Sequence, residues 1–117
     1  PRWENAQRAA LKKFKENDPY WQNVYSAIFT PENKARWYRL EKFTDKLNQR
    51  YCTHYTLDQV MNAYVLAHPR TDLLAVGALT QEQIRRTVNS LKIVKKLTPG
   101  DLDYLYDGTG MPSIPLF

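Results

Sequence analysis

One cysteine, two histidines, four glycines and no long apolar run: these scarcities rule out more of what this 117-residue chain could do than any motif rules in. A single cysteine cannot form an internal disulfide, which fits a reducing compartment. A structural zinc needs four ligands in paired spacings, and Cys52, His54 and His68 fall short of that set. No metal-binding or cofactor-binding residue is therefore assigned. The glycines form neither a phosphate-cradling loop, with or without its Walker lysine, nor a Gly-x-Ser-x-Gly elbow. The longest apolar run, residues 73–79, has seven residues, against roughly 20 for a bilayer span. No apolar stretch follows the basic start, as a signal peptide would require. Pro1 reads as what remains after loss of an initiator Met, which would make the chain nearly complete.

Alternating β-branched runs are missing too, and so is any repeat of solenoid period. What is present is helical patterning. The expected fold is all-α: five to six helices in a compact bundle or irregular array, residues 1–108, followed by an extended apolar tail over 109–117. A chain of this length buries roughly 65% of its unfolded surface and needs no staple. Its composition is that of an ordinary globular protein, 43% hydrophobic and 25% charged, with a mean hydropathy of −0.63.

The segment from Thr30 to Tyr51 organises the rest. Thr30 caps the start, Pro31 fits the first helical position and Glu32 faces the positive end of the dipole. Trp37, Leu40, Phe43, Leu47 and Tyr51 then recur on one face of a helix of about five turns. Arg39, Lys42, Lys46 and Arg50 form a second stripe on one flank, while Glu41 and Asp45 fall on the other. Like charges four apart disfavour the helix by a few tenths of a kcal/mol per pair unless something anionic answers them. Tyr38 lies close enough to stack on a base or to pack a rim.

Residues 1–56 hold 11 Lys plus Arg against 6 Asp plus Glu, whereas residues 57–117 hold 6 of each. The whole excess of +5 lies in the first half, which supports an anionic partner there. Simple solubility explains a charge of this size equally well. Residues 2–16 read as a first helix, with Trp3, Ala6, Ala10, Leu11 and Phe14 on one side and Arg8, Lys12, Lys13 and Lys15 on the other. An Arg-rich amphipathic start also suits a mitochondrial transit peptide, although Glu4 and Glu16 speak against one. Asp18-Pro19 restarts the chain as a short helix to Phe29. Its Tyr20, Trp21, Val24, Tyr25, Ile28 and Phe29 cover over half its circumference, so it is either deeply buried or part of an interface.

Thr56 with Gln59, and Thr80 with Gln83, are capping boxes. The first opens a helix carrying Leu57, Val60, Met61, Tyr64 and Val65 to a stop at Pro69. The second opens one with Ile84, Val88, Leu91 and Val94 inward and Arg85, Arg86, Lys92, Lys95 and Lys96 outward. Between them Asp72 caps a short, buried helix over 73–79. Thr98-Pro99 starts the last helix, with Leu102, Leu105 and Tyr106 inward, and Gly108 ends it. Pro112 and Pro115 keep the tail out of a helix. Its Ile114, Leu116 and Phe117 lie either on their own domain or, as a docking arm, on a neighbouring subunit.

No catalytic residue emerges. Cys52 and His54 share a face only in extended chain, with no third group to orient them. Asp101, Asp103, Asp107 and Gly108 fail the spacing of a calcium loop. Two readings stay open. The first is a non-enzymatic helical subunit of a larger protein assembly, docking other protein subunits through Tyr20, Trp21, Tyr25, Ile114, Leu116 and Phe117. The second is a nucleic-acid-binding or coating protein, such as a helical capsid subunit, using Lys12, Lys13, Arg39, Lys42, Lys46 and Arg50 without base reading. Either points to an intracellular reducing compartment or a virion rather than to secretion.

Overall fold

A small polar side chain precedes most of the helices, and three of them begin with proline, at Pro19, Pro31 and Pro99. In the computed structural model, which describes residues 2–13, 18–75, 77 and 80–116, the chain is all-α and no strand occurs among the described residues. Among the described residues seven helical segments follow one another: α1 Arg2–Lys13, α2 Pro19–Ile28, α3 Pro31–Tyr51, α4 Leu57–Ala67, α5 Gln81–Asn89, α6 Leu91–Val94 and α7 Pro99–Asp107. The sixth is a single turn. No described helix is long and apolar enough to cross a membrane.

Local chemistry accounts for the starts. Asp18 Oδ1 accepts the Tyr20 N–H at 3.0 Å, Thr30 Oγ1 that of Asn33 at 3.1 Å and Thr80 Oγ1 that of Gln83 at 3.1 Å. Each answers an N–H that the first helical turn leaves without a partner. Two stops are equally specific. Gly108 ends α7 with φ +83°, the left-handed region open to a residue without Cβ. Cys52 does the same for α3 with φ +52°, and the Thr53 N–H reaches back to the Asn48 carbonyl at 3.1 Å.

The chain divides into two units, Pro1–Tyr38 and Arg39–Phe117. In the first, Trp3 is buried among rings, 5.1 Å from Phe29 and 6.0 Å from Trp37 between centroids. Glu4 accepts the Tyr38 Oη–H at 2.8 Å and pairs with Lys34 at 3.3 Å. Tyr38, expected to be available for stacking, is thus engaged through its hydroxyl. The second unit has an aliphatic and aromatic core of Leu40, Phe43, Leu47, Val60, Ala63, Ile93, Leu105 and Ile114. Asn48 fixes the turn from α3 to α4 by gripping Tyr55 on both sides of its backbone, accepting its N–H at 2.8 Å and donating to its carbonyl at 2.9 Å.

Three expectations are corrected. Residues 73–75 and 77 are not helical, and Leu73 is 91% exposed, so the expected buried helix over 73–79 is not seen in its described part. A segment that short, with Gly77 near its middle, has too few backbone bonds to outweigh the nucleation cost. The helix expected from 81 through Val94 breaks at Ser90, a buried residue whose Oγ donates to the Thr87 carbonyl and competes with the helical pattern. Ile84, Val88 and Leu91, expected inward, are each more than half exposed. Phe14, Lys15 and Glu16 of the first helix lie outside the described residues, as do Val76, Ala78, Leu79, Phe117 and the side chain of Lys13.

Candidate interaction surfaces

Of the basic stripe on α3, Arg39 turns back onto its own unit. Its Nη2 donates to the Tyr106 carbonyl in the last turn of α7 at 3.1 Å, where a cation meets the negative end of the helix dipole. Its stem lies 3.5 Å from where a Cβ on Gly108 would stand. The guanidinium also favours the charged form of Asp107. That carboxyl lies below its ordinary range first because the Thr109 hydroxyl and N–H donate to it, at 2.6 and 3.0 Å. Burial pushes the Tyr104 hydroxyl the other way, upward, with Arg39 partly opposing. Arg39 is therefore a C-terminal clamp for α7 and, unlike Lys42, is engaged within its own unit.

Lys42 and Arg50 are exposed and Lys46 half-buried. Among the described residues no carboxylate lies within ion-pair distance of these three, Asp45 included. Lys12 is exposed on α1. Tyr51, the last residue of α3 and 41% exposed, has the Arg50 Cζ 5.9 Å and the Lys96 Nζ 4.9 Å over its ring, measured to the centroid. Lys96, just beyond α6, also donates to the Lys92 carbonyl at 3.3 Å. Nothing in the spacing of residues 51 and 96 foretells this meeting of α3 with the chain after α6.

The second surface is apolar. None of the ten residues of α2 is buried, so the expectation that it is the most deeply buried element does not hold. Tyr20 is 64% and Trp21 41% exposed, their rings 5.0 Å apart and edge to face, and Ile28 is also exposed. Tyr25 is more enclosed than Tyr20 and Trp21. It is half-buried, accepts a bond from Gln7 Nε2 at 3.0 Å and packs 4.7 Å from Phe29. Helix α5 likewise buries none of its residues. Ile84, Val88 and Leu91 repeat every three to four residues and so line one side of α5 and the start of α6, while Met61 and Val65 are exposed on α4. Sequence periodicity finds this row but assigns it to the interior.

The tail belongs to its own unit. Ile114 and Leu116, proposed above as docking residues, are 4% and 8% exposed, and Ile114 joins the core cluster. That expectation is corrected: the prolines make the segment extended, and the extended path runs over α7. Gly100 and Gly110 permit it, since a Cβ on Gly100 would overlap the Met111 carbonyl oxygen and one on Gly110 the Gly100 carbonyl oxygen. Asp101, fully buried, completes the clamp. It accepts the Thr98 N–H at 2.9 Å and holds Ser113 by both N–H and hydroxyl, at 2.6 and 2.7 Å.

Cys52 and His54 are both exposed. Among the described residues no group of three His, Cys, Asp or Glu side chains is arranged to hold a metal ion. Set against protein-family models, curated proteins and solved structures, the chain matches none.

Proposed function

We propose that the chain is a non-enzymatic helical subunit of a larger protein assembly, docking other subunits through apolar helix faces. The row Ile84, Val88 and Leu91, 51, 57 and 53% exposed, carries this reading. A helix of nine residues does not hold its shape in water by propensity alone, and an amphipathic helix normally covers its apolar side. Covering these three side chains and those of Tyr20, Trp21 and Ile28 contributes on the order of 1 kcal/mol each. Hydroxyl-radical footprinting of the particle purified from its source, against the isolated chain, tests it. Protection of Trp21, Ile84, Val88 and Leu91 with Tyr106 unchanged supports docking there. Equal labelling in both samples refutes it.

A second reading has its own support. Lys42, Lys46 and Arg50 have no carboxylate within ion-pair distance among the described residues, so sequence-independent binding of nucleic acid along that edge of α3 fits their chemistry. Under this reading affinity falls steeply with added salt. It falls again when the three become Gln.

A further inference from the structure

We propose that the row Ile84, Val88 and Leu91 receives an acidic amphipathic helix of a different protein subunit, whose carboxylates answer Arg85, Lys92 and Lys95. This rests on the docking reading above and adds to it the chemistry of the partner.

Three observations carry it. The row is continuous across two helical segments: Ser90, where α5 gives way to α6, keeps right-handed helical backbone at φ −62° and ψ −20°, and its N–H still reaches the Arg86 carbonyl at 3.1 Å. Ser90 and Ile93 are buried and Gln83, Arg86, Thr87 and Val94 half-buried, so one side of this rod lies on its own unit. At 100° per residue the row stands beside that side, Arg85 and Lys92 border it on the outer edge, and Lys95 extends it one turn beyond Leu91. Lys92 and Lys95 are exposed, and among the described residues no carboxylate lies within ion-pair distance of either. Arg85 pairs with Glu82 at 3.4 Å, but both side chains are well exposed, which leaves the pair weak.

Apolar side chains edged by cations fit a helix whose apolar stripe is edged by Asp or Glu. From Ile84 to Lys95 the rod runs about 16 Å, so two to three turns of a partner helix cover it. A second copy of the row does not serve. Laid antiparallel, two copies set the edge of Arg85 and Lys92 against the same edge of the other, and laid parallel they set Lys95 against Lys95. Like charges so placed disfavour the pair. An anionic lipid surface fits poorly as well, because three apolar side chains are little to insert and one side of the rod turns into its own unit.

The test is carbodiimide coupling of the native particle, which joins a lysine amine to a carboxylate in contact with it, read by mass spectrometry beside the footprinting above. The isolated chain, coupled in the same way, identifies links within one chain. A tagged chain carrying Lys92→Glu and Lys95→Glu is expressed in the source beside the parent. One carrying Lys12→Glu and Lys42→Glu, with the same change in net charge, is the control. Circular dichroism confirms that each variant folds. The inference expects Lys92 or Lys95 joined to Asp or Glu of another protein in the particle, and the Lys92 and Lys95 variant to enter the particle about 5- to 50-fold less than the parent while the control enters as the parent does. A protected row, with neither lysine linked to another protein and the variant incorporated as the parent is, overturns the inference and leaves the docking reading standing. So do links to a second copy of this chain, or an equal loss of the control. A row labelled equally in particle and isolated chain overturns both.

Discussion

The Asp101 carboxylate grips Ser113 twice, Oδ1 accepting its N–H at 2.6 Å and Oδ2 its hydroxyl at 2.7 Å, across twelve residues of chain. The same carboxylate caps α7 through the Thr98 N–H, so one buried side chain starts a helix and fixes the tail that brings Ile114 into the core. Replacing it by Ala strands three donors at once. Asp101→Ala should lower stability by about 3 kcal/mol, and Ser113→Ala, which keeps the backbone bond, by about 1 kcal/mol. Urea midpoints of the two variants check the order. Equal losses would contradict the shared clamp.

The crossing of Gly100 and Gly110 leaves no room for a methyl group on either, because the atom each would meet is backbone rather than a movable side chain. Gly110→Ala should cost about 3 kcal/mol or more, beyond the ~1 kcal/mol that overpacking at a yielding site costs. Gly77→Ala, whose added Cβ would have no described atom within 4 Å, is the control and should change little. Thermal melts of the pair give the comparison.

At Cys52 the opposite change is expected. A side chain at φ +52° carries strain of roughly 1 kcal/mol that glycine does not. Cys52→Gly should therefore stabilise the chain by something under 1 kcal/mol once the added freedom of the unfolded state is counted. A loss of stability would mean that the thiol makes a contact its exposure does not suggest.

Glu4 sets the acid response of the first unit. The Tyr38 hydroxyl above all, then its own backbone, hold its carboxyl at about 2 instead of 4.5, against an opposing effect of desolvation and with a lesser contribution from Lys34. A lowered value means that the folded state favours the charged form. The stabilisation is complete above 4.5, the ordinary value, and is lost as pH falls towards 2. An NMR titration of the Glu4 side-chain carboxyl should give a midpoint well below 4.5, and Tyr38→Phe should raise it. A midpoint at the ordinary value in the parent chain would contradict the arrangement.

Helix starts were readable in the sequence because their causes are local. Asp18-Pro19, Thr30-Pro31, Thr80 with Gln83 and Thr98-Pro99 each act within four residues, and each opens a helix where expected. Periodicity was a weaker guide. It marks Ile84, Val88 and Leu91 as one face but says nothing of whether that face is covered, and here all three are more than half exposed. The tail erred the other way, since the signals that it avoids a helix say nothing of the surface it lies on. Arg39 and Lys42 sit in one stripe by sequence, yet only Arg39 finds a helix end to clamp, because α7 ends beside it. Tyr51 and Lys96 meet through packing of the second unit, which no short-range pattern encodes.

The mass of the native particle, measured before and after nuclease treatment, tests the central claim most directly. A protein subunit with bare apolar faces predicts a mass well above the 13.8 kDa of the chain, unchanged by nuclease. A particle that is one chain from the outset, or that falls to one chain once nucleic acid is digested, would contradict it.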